Sequence, residues 1–243
     1  YPLAMSVVAL ATRVVIERIE PLSPTVKAFS LVAPDVERFE FTAGQWVSLL
    51  LPIDAAERTR AYSIASPQQG DNRFELAVTL IPGGPGSTAM FKLKPGDALQ
   101  LVGPYGFFTQ KDAGTRPQVF VATGTGVTPC RSIIHALAAE NFPSPTTLIF
   151  GARHEEDLLY RAEWEAFARA NTAFTFIPTL SKPGETWRGK SGYVQERVRE
   201  VPATTRNAIV YVCGLKKMVN DVKTILRDEL GFPKEQIVTE KYD

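Results

Sequence analysis

Near residues 112–117, Asp112-Ala113-Gly114-Thr115-Arg116-Pro117, the pattern of apolar residues changes kind, and no single layer arrangement suits both sides of that change. From Arg13 to about Thr109 the chain reads as short strands cut by glycine and proline: Val14-Val15-Ile16, then residues 25–32, 44–52, 60–66, 74–80 and 98–102. Pro21 and Pro24 read as breakers after the first strand, and only residues 87–93 have a helical look. Six short strands at near-regular spacing predict a small antiparallel β-barrel. After the change, Gln118-Val119-Phe120-Val121-Ala122-Thr123 is a nearly continuous apolar run of the kind buried in a parallel sheet. Helix-like stretches at 130–139, 162–170, 194–200 and 218–230 then alternate with strand-like ones at 147–151, 172–180, 208–212 and 237–238. That alternation predicts a parallel sheet with helices on its faces. The expected organisation is two domains, an antiparallel β-barrel over residues 1–112 and an α/β parallel-sheet domain over residues 113–243. A chain of 243 residues is long for one domain and comfortable for two.

Composition narrows the function classes. Lysine and arginine number 27 against 26 acidic residues, a net charge of +1, so bulk electrostatics gives no reason to expect a nucleic-acid partner. No apolar run approaches the roughly 20 residues needed to cross a bilayer, so no membrane span is expected. The first ten residues lack a basic segment before their apolar stretch and make a poor signal peptide; Met5 reads as the native start. Two cysteines, Cys130 and Cys213, and two histidines, His135 and His154, do not make a four-ligand cluster, so no metal is expected. A disulfide stays open, with a reducing cytoplasm as the default location.

Five stretches carry candidate chemistry. Arg60-Ala61-Tyr62-Ser63-Ile64-Ala65-Ser66 combines a permanently charged fork, a flat ring and two hydroxyls. In an extended strand Arg60, Tyr62, Ile64 and Ser66 project to one side and Ala61, Ser63 and Ala65 to the other. Neither face is continuously apolar. A flat ligand, polar along one edge and anionic at its tail, suits these groups as well as an ordinary barrel strand does; a flavin nucleotide has that shape. Gly124-Thr125-Gly126-Val127-Thr128-Pro129 sits between a strand and a helix, where free N–H groups and the helix dipole favour a phosphate. Any glycine-rich strand–helix turn gives similar letters, and the G-x-G-x-x-G spacing is absent. Gly83-Gly84-Pro85-Gly86-Ser87-Thr88 precedes the one helical turn of the barrel half and reads by itself as a loop capped by Ser87 or Thr88. Cys213 lies at the carboxyl end of a parallel strand, the edge at which open α/β sheets bind ligands, although a buried thiol also serves as a small hydrophobe. The last residues, Thr239-Glu240-Lys241-Tyr242-Asp243, read by themselves as a frayed tail.

Taken in order, these motifs resemble the ferredoxin–NADP⁺ reductase family, plant-type reductases included. The resemblance runs from about Arg13 to Asp243 through Arg60-x-Tyr62-Ser63-x-x-Ser66, Gly84-x-x-Ser87, Gly103-Pro104-x-Gly106, Gly124-Thr125-Gly126-x-x-Pro129, Tyr211-Val212-Cys213-Gly214-Leu215-Lys216 and Glu240-x-Tyr242. It implies a flavin-binding barrel followed by a nicotinamide-dinucleotide domain, with FAD as cofactor and NADP(H), or NAD(H), as substrate. Arg60 would neutralise the flavin nucleotide's phosphates, a task suited to its fork. Tyr62 would lie against the isoalloxazine, Ser63 would hydrogen-bond near N5, and Ser66 would belong to the same FAD site. Gly84, Gly86, Ser87 and Thr88 would hold the FAD pyrophosphate. Gly124, Thr125, Gly126 and Thr128 would cradle the pyrophosphate of the nicotinamide dinucleotide. The catalytic set implied is Ser63, Cys213 beside the nicotinamide, Glu240 at the flavin edge and Tyr242 stacked on the outer flavin face. This chain departs from the pattern by carrying Asp243 after that tyrosine.

The run Ser181-Lys182 … Tyr193-Val194-Gln195 resembles the set that grips an adenosine 2′-phosphate, with lysine where plant-type reductases have arginine; Arg153 and Lys190 would add cations. NADPH is therefore the expected dinucleotide. Trp187-x-Gly189-x-x-Gly192 also resembles the NADH-using reductases of oxygenase systems. The reaction implied is hydride transfer from NADPH to the flavin, the nicotinamide displacing Tyr242. Single electrons then pass to or from a separate ferredoxin or flavodoxin-like carrier. The competing readings are the NADH-dependent reductase component of an oxygenase and a non-catalytic electron-transfer or scaffold subunit.

Overall fold

The computed structural model describes residues 11–54, 58–112, 115–202 and 205–242, so the expectations about Met5 and Asp243 lie outside the described residues. Strands β1 (Thr12–Ser23), β2 (Val26–Val32), β3 (Trp46–Leu50), β4 (Thr59–Ser63), β5 (Arg73–Thr79) and β6 (Ala98–Tyr105) form one sheet, in the order β4-β3-β6-β1-β2-β5. All of its ladders are antiparallel. Its two edges meet just past β4: Ile64 bridges Leu76, and Ala65 N donates to Glu75 O at 2.8 Å, closing the sheet into the expected barrel. Closure gives partners to edge groups that an open sheet would leave exposed. Every second residue points inward, so Val14, Ile16, Phe29, Leu31, Val47, Leu49, Ile64 and Leu76 make one core. Helix α1 (Pro85–Lys92) lies between β5 and β6 in sequence.

The second sheet joins β7 (Gln118–Thr123), β8 (Thr146–Ala152), β9 (Phe174–Leu180), β10 (Lys190–Ser191), β11 (Ile209–Leu215) and β12 (Ile237–Tyr242) in the order β10-β9-β8-β7-β11-β12. All its pairings are parallel. The helices between the strands are α2 (Val127–Ala139), α3 (Arg161–Ala170), α4 (Val194–Arg199) and α5 (Lys216–Thr224). The continuous apolar run in β7 is explained by two covered faces. Phe120 and Ala122 pack in one core with Ile133 and Ile134 of α2 and Trp164 of α3, while Val119 and Val121 pack in another with Val194 of α4 and Val219 of α5. Strand order reverses between β7 and β11, which places the ligand-binding crevice outside their carboxyl ends.

Several boundaries differ from the sequence expectation, and three show a physical reason. Pro21 does not end β1; the strand continues to Ser23 with its register shifting between Pro21 and Ser23, an irregularity of the kind at which a strand tolerates proline. The strand starting at Ala98 runs through Gly103 to Tyr105. The helix expected over 218–230 is α5, which widens at Ile225–Glu229 into a turn closed by Leu230 N donating to Ile225 O at 3.0 Å; the widening lets both Ile225 and Leu226 bury.

Gly126 shows how tightly the turn after β7 must approach β11. A methyl group there would lie 2.6 Å from the Cys213 carbonyl carbon and 2.7 Å from Gly214 Cα. Gly126→Ala is expected to destabilise the protein by about 1–3 kcal/mol, the range for forcing extra volume into a packed region. Urea denaturation of the variant beside the parent measures it, and an unchanged midpoint would contradict this packing.

Candidate active site

The site is assembled where the barrel meets the second sheet. Ser63, the last residue of β4, is buried, and its Oγ donates to Glu240 Oε1 at 2.9 Å and lies 2.5 Å from Tyr242 Oη. Both partners sit on β12, which is held in parallel register so that Cys213 faces Glu240 and Leu215 faces Tyr242. The apparent tail is thus the edge strand of the second sheet, tied across to the barrel. Thr128 Oγ1 donates to Thr125 O at 2.8 Å and lies 3.5 Å from Tyr242 Oη, and Thr79 Oγ1 donates to Thr125 Oγ1 at 3.3 Å. The structure therefore brings Ser63, Thr125, Thr128, Glu240 and Tyr242 together, with Cys213 beside Glu240 in the sheet.

The electrostatics of this cluster are those of a dry place. Burial pushes the Tyr242 phenol and the Cys213 thiol well above their ordinary values, with negative neighbours adding to the effect. Cys213 therefore stays a neutral thiol, unsuited to act as a thiolate nucleophile. Burial also raises the Glu240 carboxyl, opposed by the hydrogen bond from Ser63. Tyr62, half-buried against the barrel core, is pushed up to about 12 by burial, with Arg60 pulling the other way.

The groups expected to hold an anionic cofactor tail are also gathered. The Arg60 side chain lies along the first turn of α1: a methyl group on Gly86 would come within 2.9 Å of Arg60 Cγ and 3.0 Å of its Nε. A guanidinium beside N-terminal helix N–H groups is a donor set suited to a diphosphate. Thr88 sits half-buried in the same turn. Ser87 and Ser66 have other partners. Ser87 Oγ accepts from Ile81 N at 3.0 Å and can donate to Gly84 O at 3.3 Å, and Ser66 Oγ accepts from Glu75 N at 3.0 Å. Both hydroxyls brace backbone next to the cradle.

A second anion-type site opens at the switch between β7 and β11. A cavity of about 1300 Å³ is lined by Thr123, Gly124, Gly151, Arg153, Ser181, Tyr193, Gln195 and Leu215, with Thr79 and Val26 contributed by the barrel. Two polar atoms in its lining, Thr123 Oγ1 and Gln195 Oε1, are buried without a hydrogen-bond partner. Gly124 holds φ at 53°, and a methyl group there would meet nothing within 4 Å, so its backbone faces open space. Buried orphan acceptors and an exposed turn fit a large polar ligand such as a dinucleotide. Lys182 is exposed outside this lining, its N–H donating to Arg153 O at 2.9 Å, and Lys190 pairs with Glu200 at 3.5 Å. Sequence reasoning missed a further cavity of about 1010 Å³ lined by Trp46, Tyr105, Phe107, Lys111, Arg116, Lys234 and Glu240. Its residues come from four separate stretches, and only Phe107, left 90% exposed, hints at it locally.

Comparison with known proteins agrees with this geometry. Residues 13–110 match the Oxidoreductase FAD-binding domain family and residues 120–224 the Oxidoreductase NAD-binding domain family, which defines a two-domain flavin- and nicotinamide-dependent oxidoreductase. The chain is 44% identical over 231 residues to ferredoxin–NADP reductase B of Sorangium cellulosum, covering 93% of this chain and 95% of that protein. It belongs to the ferredoxin–NADP reductase family. It is also 29% identical to the toluate 1,2-dioxygenase electron transfer component of Pseudomonas putida and 31% identical to a phenol 2-monooxygenase reductase component from a Pseudomonas strain. These alignments cover 93% and 92% of this chain, which spans only 66% and 63% of the length of those two relatives. Among solved structures, an Amycolatopsis cytochrome P450 reductase superposes with a TM-score of 0.84 at 27% identity, over 96% of this chain and 69% of the other. The Plasmodium falciparum ferredoxin–NADP⁺ reductase shares the fold, with a TM-score of 0.82 at 22% identity over 98% of both chains.

The raised Glu240 carboxyl makes a prediction about pH. An acid whose folded pKa exceeds its unfolded one weakens the fold as pH rises from the unfolded value, here near 4.5, through the folded one. Glu240→Gln keeps an acceptor for Ser63 and removes the ionisation. In neutral buffer the flavin-free variant is expected to melt above the parent, and the difference is expected to shrink as pH falls toward 4.5. Melting curves across that range check it, and a variant less stable at neutral pH would show that the charge is well solvated.

Proposed function

We propose that this protein is an NADPH-dependent reductase of a separate one-electron carrier, a ferredoxin or flavodoxin. The observation that carries the reading is Ser63, buried between Glu240 and Tyr242, with a dinucleotide-sized cavity and an aromatic, basic cavity lined by separate sets of residues. FAD, when bound, accepts a hydride and releases its electrons singly. Arg60 and the first turn of α1 hold its diphosphate, and Tyr62 gives its ring a flat apolar wall. Ser63 presents a hydroxyl to the polar edge of the ring. Glu240, its carboxyl raised by burial and accepting from Ser63, is placed to take up or release a proton beside that hydroxyl. Tyr242 covers the site until the dinucleotide arrives. Gly124, Thr125, Gly126 and Thr128 receive that dinucleotide's phosphates, and Arg153, Ser181, Tyr193 and Gln195 its adenosine end. Cys213, neutral and packed, sets the floor under the nicotinamide. The domain boundary falls between residues 112 and 113.

The carrier docks at the second cavity. Tyr105 and Phe107 are exposed there, and Lys111, Arg116 and Lys234 lie around them. An acidic carrier meets complementary charge at that rim and an apolar contact at its centre. Among the described residues no helix is long and apolar enough to cross a membrane, and a cytoplasmic location fits a reductase serving a diffusible carrier. One observation favours a second reading, an NADH-dependent oxygenase reductase. Lys182 lies outside the cavity lining, Lys190 is paired elsewhere, and Glu156, Asp157 and Glu196 stand among the residues lining the cavity.

One visible absorption spectrum tests the core: purified protein is expected to show a flavin band that NADPH bleaches, and a protein that takes up no flavin would refute the reading. Steady-state kcat/KM for NADPH against NADH decides between the dinucleotides. Arg153→Ala is expected to lower kcat/KM for NADPH by about ten- to a hundredfold, the worth of one charge-assisted hydrogen bond, with little change for NADH. Lys111→Glu combined with Lys234→Glu is expected to raise KM for an acidic carrier while leaving ferricyanide reduction intact. Equal KM values before and after substitution would move the docking site elsewhere.

A further inference from the structure

One buried charged cluster has no part in the site as described. Arg131 lies on α2, three residues beyond Thr128. Its Nε and Nη2 donate to the two oxygens of Glu163 on α3 at 2.9 and 2.8 Å. Its Nη1 donates to Ala65 O at 2.9 Å and reaches Glu75 Oε1 at 3.4 Å. The guanidinium carbon lies 4.3 Å from the centre of the Tyr160 ring, whose hydroxyl donates to the same Glu75 oxygen at 2.8 Å. Tyr160 is held at φ 57°, a left-handed conformation that a bulky residue rarely adopts. Beside Arg131, Ser132 Oγ donates to Ser66 O at 2.7 Å, and His135 Nε2 stands 3.0 Å from Glu163 Oε1. The side chains of Arg131, Glu75 and Glu163 are only 13%, 18% and 25% exposed.

Such a cluster is a poor way to gain stability. Removing a guanidinium and two carboxylates from water costs about as much as their attraction returns, and apolar packing would do as well. What a planar fork supplies is direction. It fixes α2, α3 and the barrel at residues 65 and 75 in one arrangement. The place it grips is specific. Ala65 is two residues past Ser63, where β4 has left its ladder and Ile64 bridges Leu76 to close the barrel. At the other end, α2 starts at the turn that contacts Tyr242 through Thr128. Arg131 therefore ties the strand carrying Ser63 to the helix carrying the dinucleotide turn.

We propose that Arg131, braced by Glu163 and Tyr160, is a positioning residue that sets the separation between Ser63 on the flavin side and residues 124–128 on the dinucleotide side. This rests on the function proposed above. Hydride transfer requires two rings in close contact, so it is sensitive to that separation. Electron exit through the cavity at Trp46, Tyr105 and Phe107, which Arg131 does not line, is not.

The test compares Arg131→Lys, which keeps the charge and loses the fork, with Tyr160→Phe, which deletes one hydroxyl. Both are studied as FAD-loaded protein. The saturating rate of flavin reduction by NADPH, followed by stopped flow, is expected to fall on the order of ten- to a hundredfold in Arg131→Lys, the scale of a displacement of about 1 Å. The NADPH concentration for half-maximal rate is expected to change less than about threefold. Reoxidation by ferricyanide stays at the parent rate. Hydrogen exchange at the amides of residues 64–66 accelerates, a readout independent of turnover. Tyr160→Phe shows the same split at smaller amplitude, and it carries the comparison alone if Arg131→Lys does not fold. Unchanged reduction in both variants, or equal losses in reduction, reoxidation and melting temperature, would overturn the positioning role. A parent protein that NADPH and NADH both fail to bleach overturns the functional reading instead.

Discussion

The structure depends on how the barrel closes. Sheet edges β4 and β5 are joined through Ile64 and Ala65, and the residue immediately before that junction is Ser63. A barrel strand that ended freely would leave Ser63 at a mobile tip. Because the next residues are gripped on one side by β5 and on the other by Arg131 and Ser132 of α2, its hydroxyl is held against Glu240 and Tyr242. One short segment thus performs three tasks: it closes the barrel, docks the second domain and presents the group at the centre of the site. Ser66, expected in the FAD site, has its hydroxyl oxygen accepting from Glu75 N, which anchors the same segment.

Burial sets the chemistry of the centre. Burial disfavours the charged forms of Glu240, Cys213 and Tyr242: the Cys213 thiol and the Tyr242 phenol stay neutral, and the Glu240 carboxyl is raised against the pull of its hydrogen bond from Ser63. Charge is kept to the periphery: Arg60 at α1, Arg153 at the cavity beside β7 and β11, and Lys111, Arg116 and Lys234 at the aromatic one. Cations at the rim attract phosphates and acidic surfaces, while a dry interior makes each hydrogen bond to a redox ring count for more.

Much of this was legible in the letters, for definable reasons. The switch from period-two strands to β–α alternation announced two domains, since each layer type imposes its own apolar pattern. The glycine turn after β7 was legible because only a residue without a side chain fits against Cys213 and Gly214. What escaped was anything built from distant stretches. The Arg131 cluster joins residues separated by up to 98 positions, with Ala65 at one extreme and Glu163 at the other, and α2 seen alone offers only an ordinary helix with one arginine. The aromatic cavity escaped likewise, because Trp46 and Lys234 approach each other only after folding. Lys182 and Lys190 could not be placed from the letters: the family resemblance gives both to a 2′-phosphate grip, while the fold has Lys182 outside the cavity lining and Lys190 paired with Glu200.

The two cavities share no lining residue, and that separation matters for a protein converting two-electron into one-electron flow. A donor and an acceptor competing for one opening would have to alternate. Here β12 contributes Thr239 and Glu240 to the aromatic cavity proposed for the carrier, while its last residue, Tyr242, meets Thr128 beyond the turn proposed for the dinucleotide. Residues 237–240 of this six-residue edge strand line the aromatic cavity, Tyr242 at its end meets Thr128, and Ser63 is bonded to both Glu240 and Tyr242. On the proposed function, displacing Tyr242 to admit a nicotinamide would remove one of the two partners of Ser63 and leave Glu240 as the other. On that proposal the site would open toward the donor without releasing its contact on the acceptor side, because the two contacts belong to different residues of one strand.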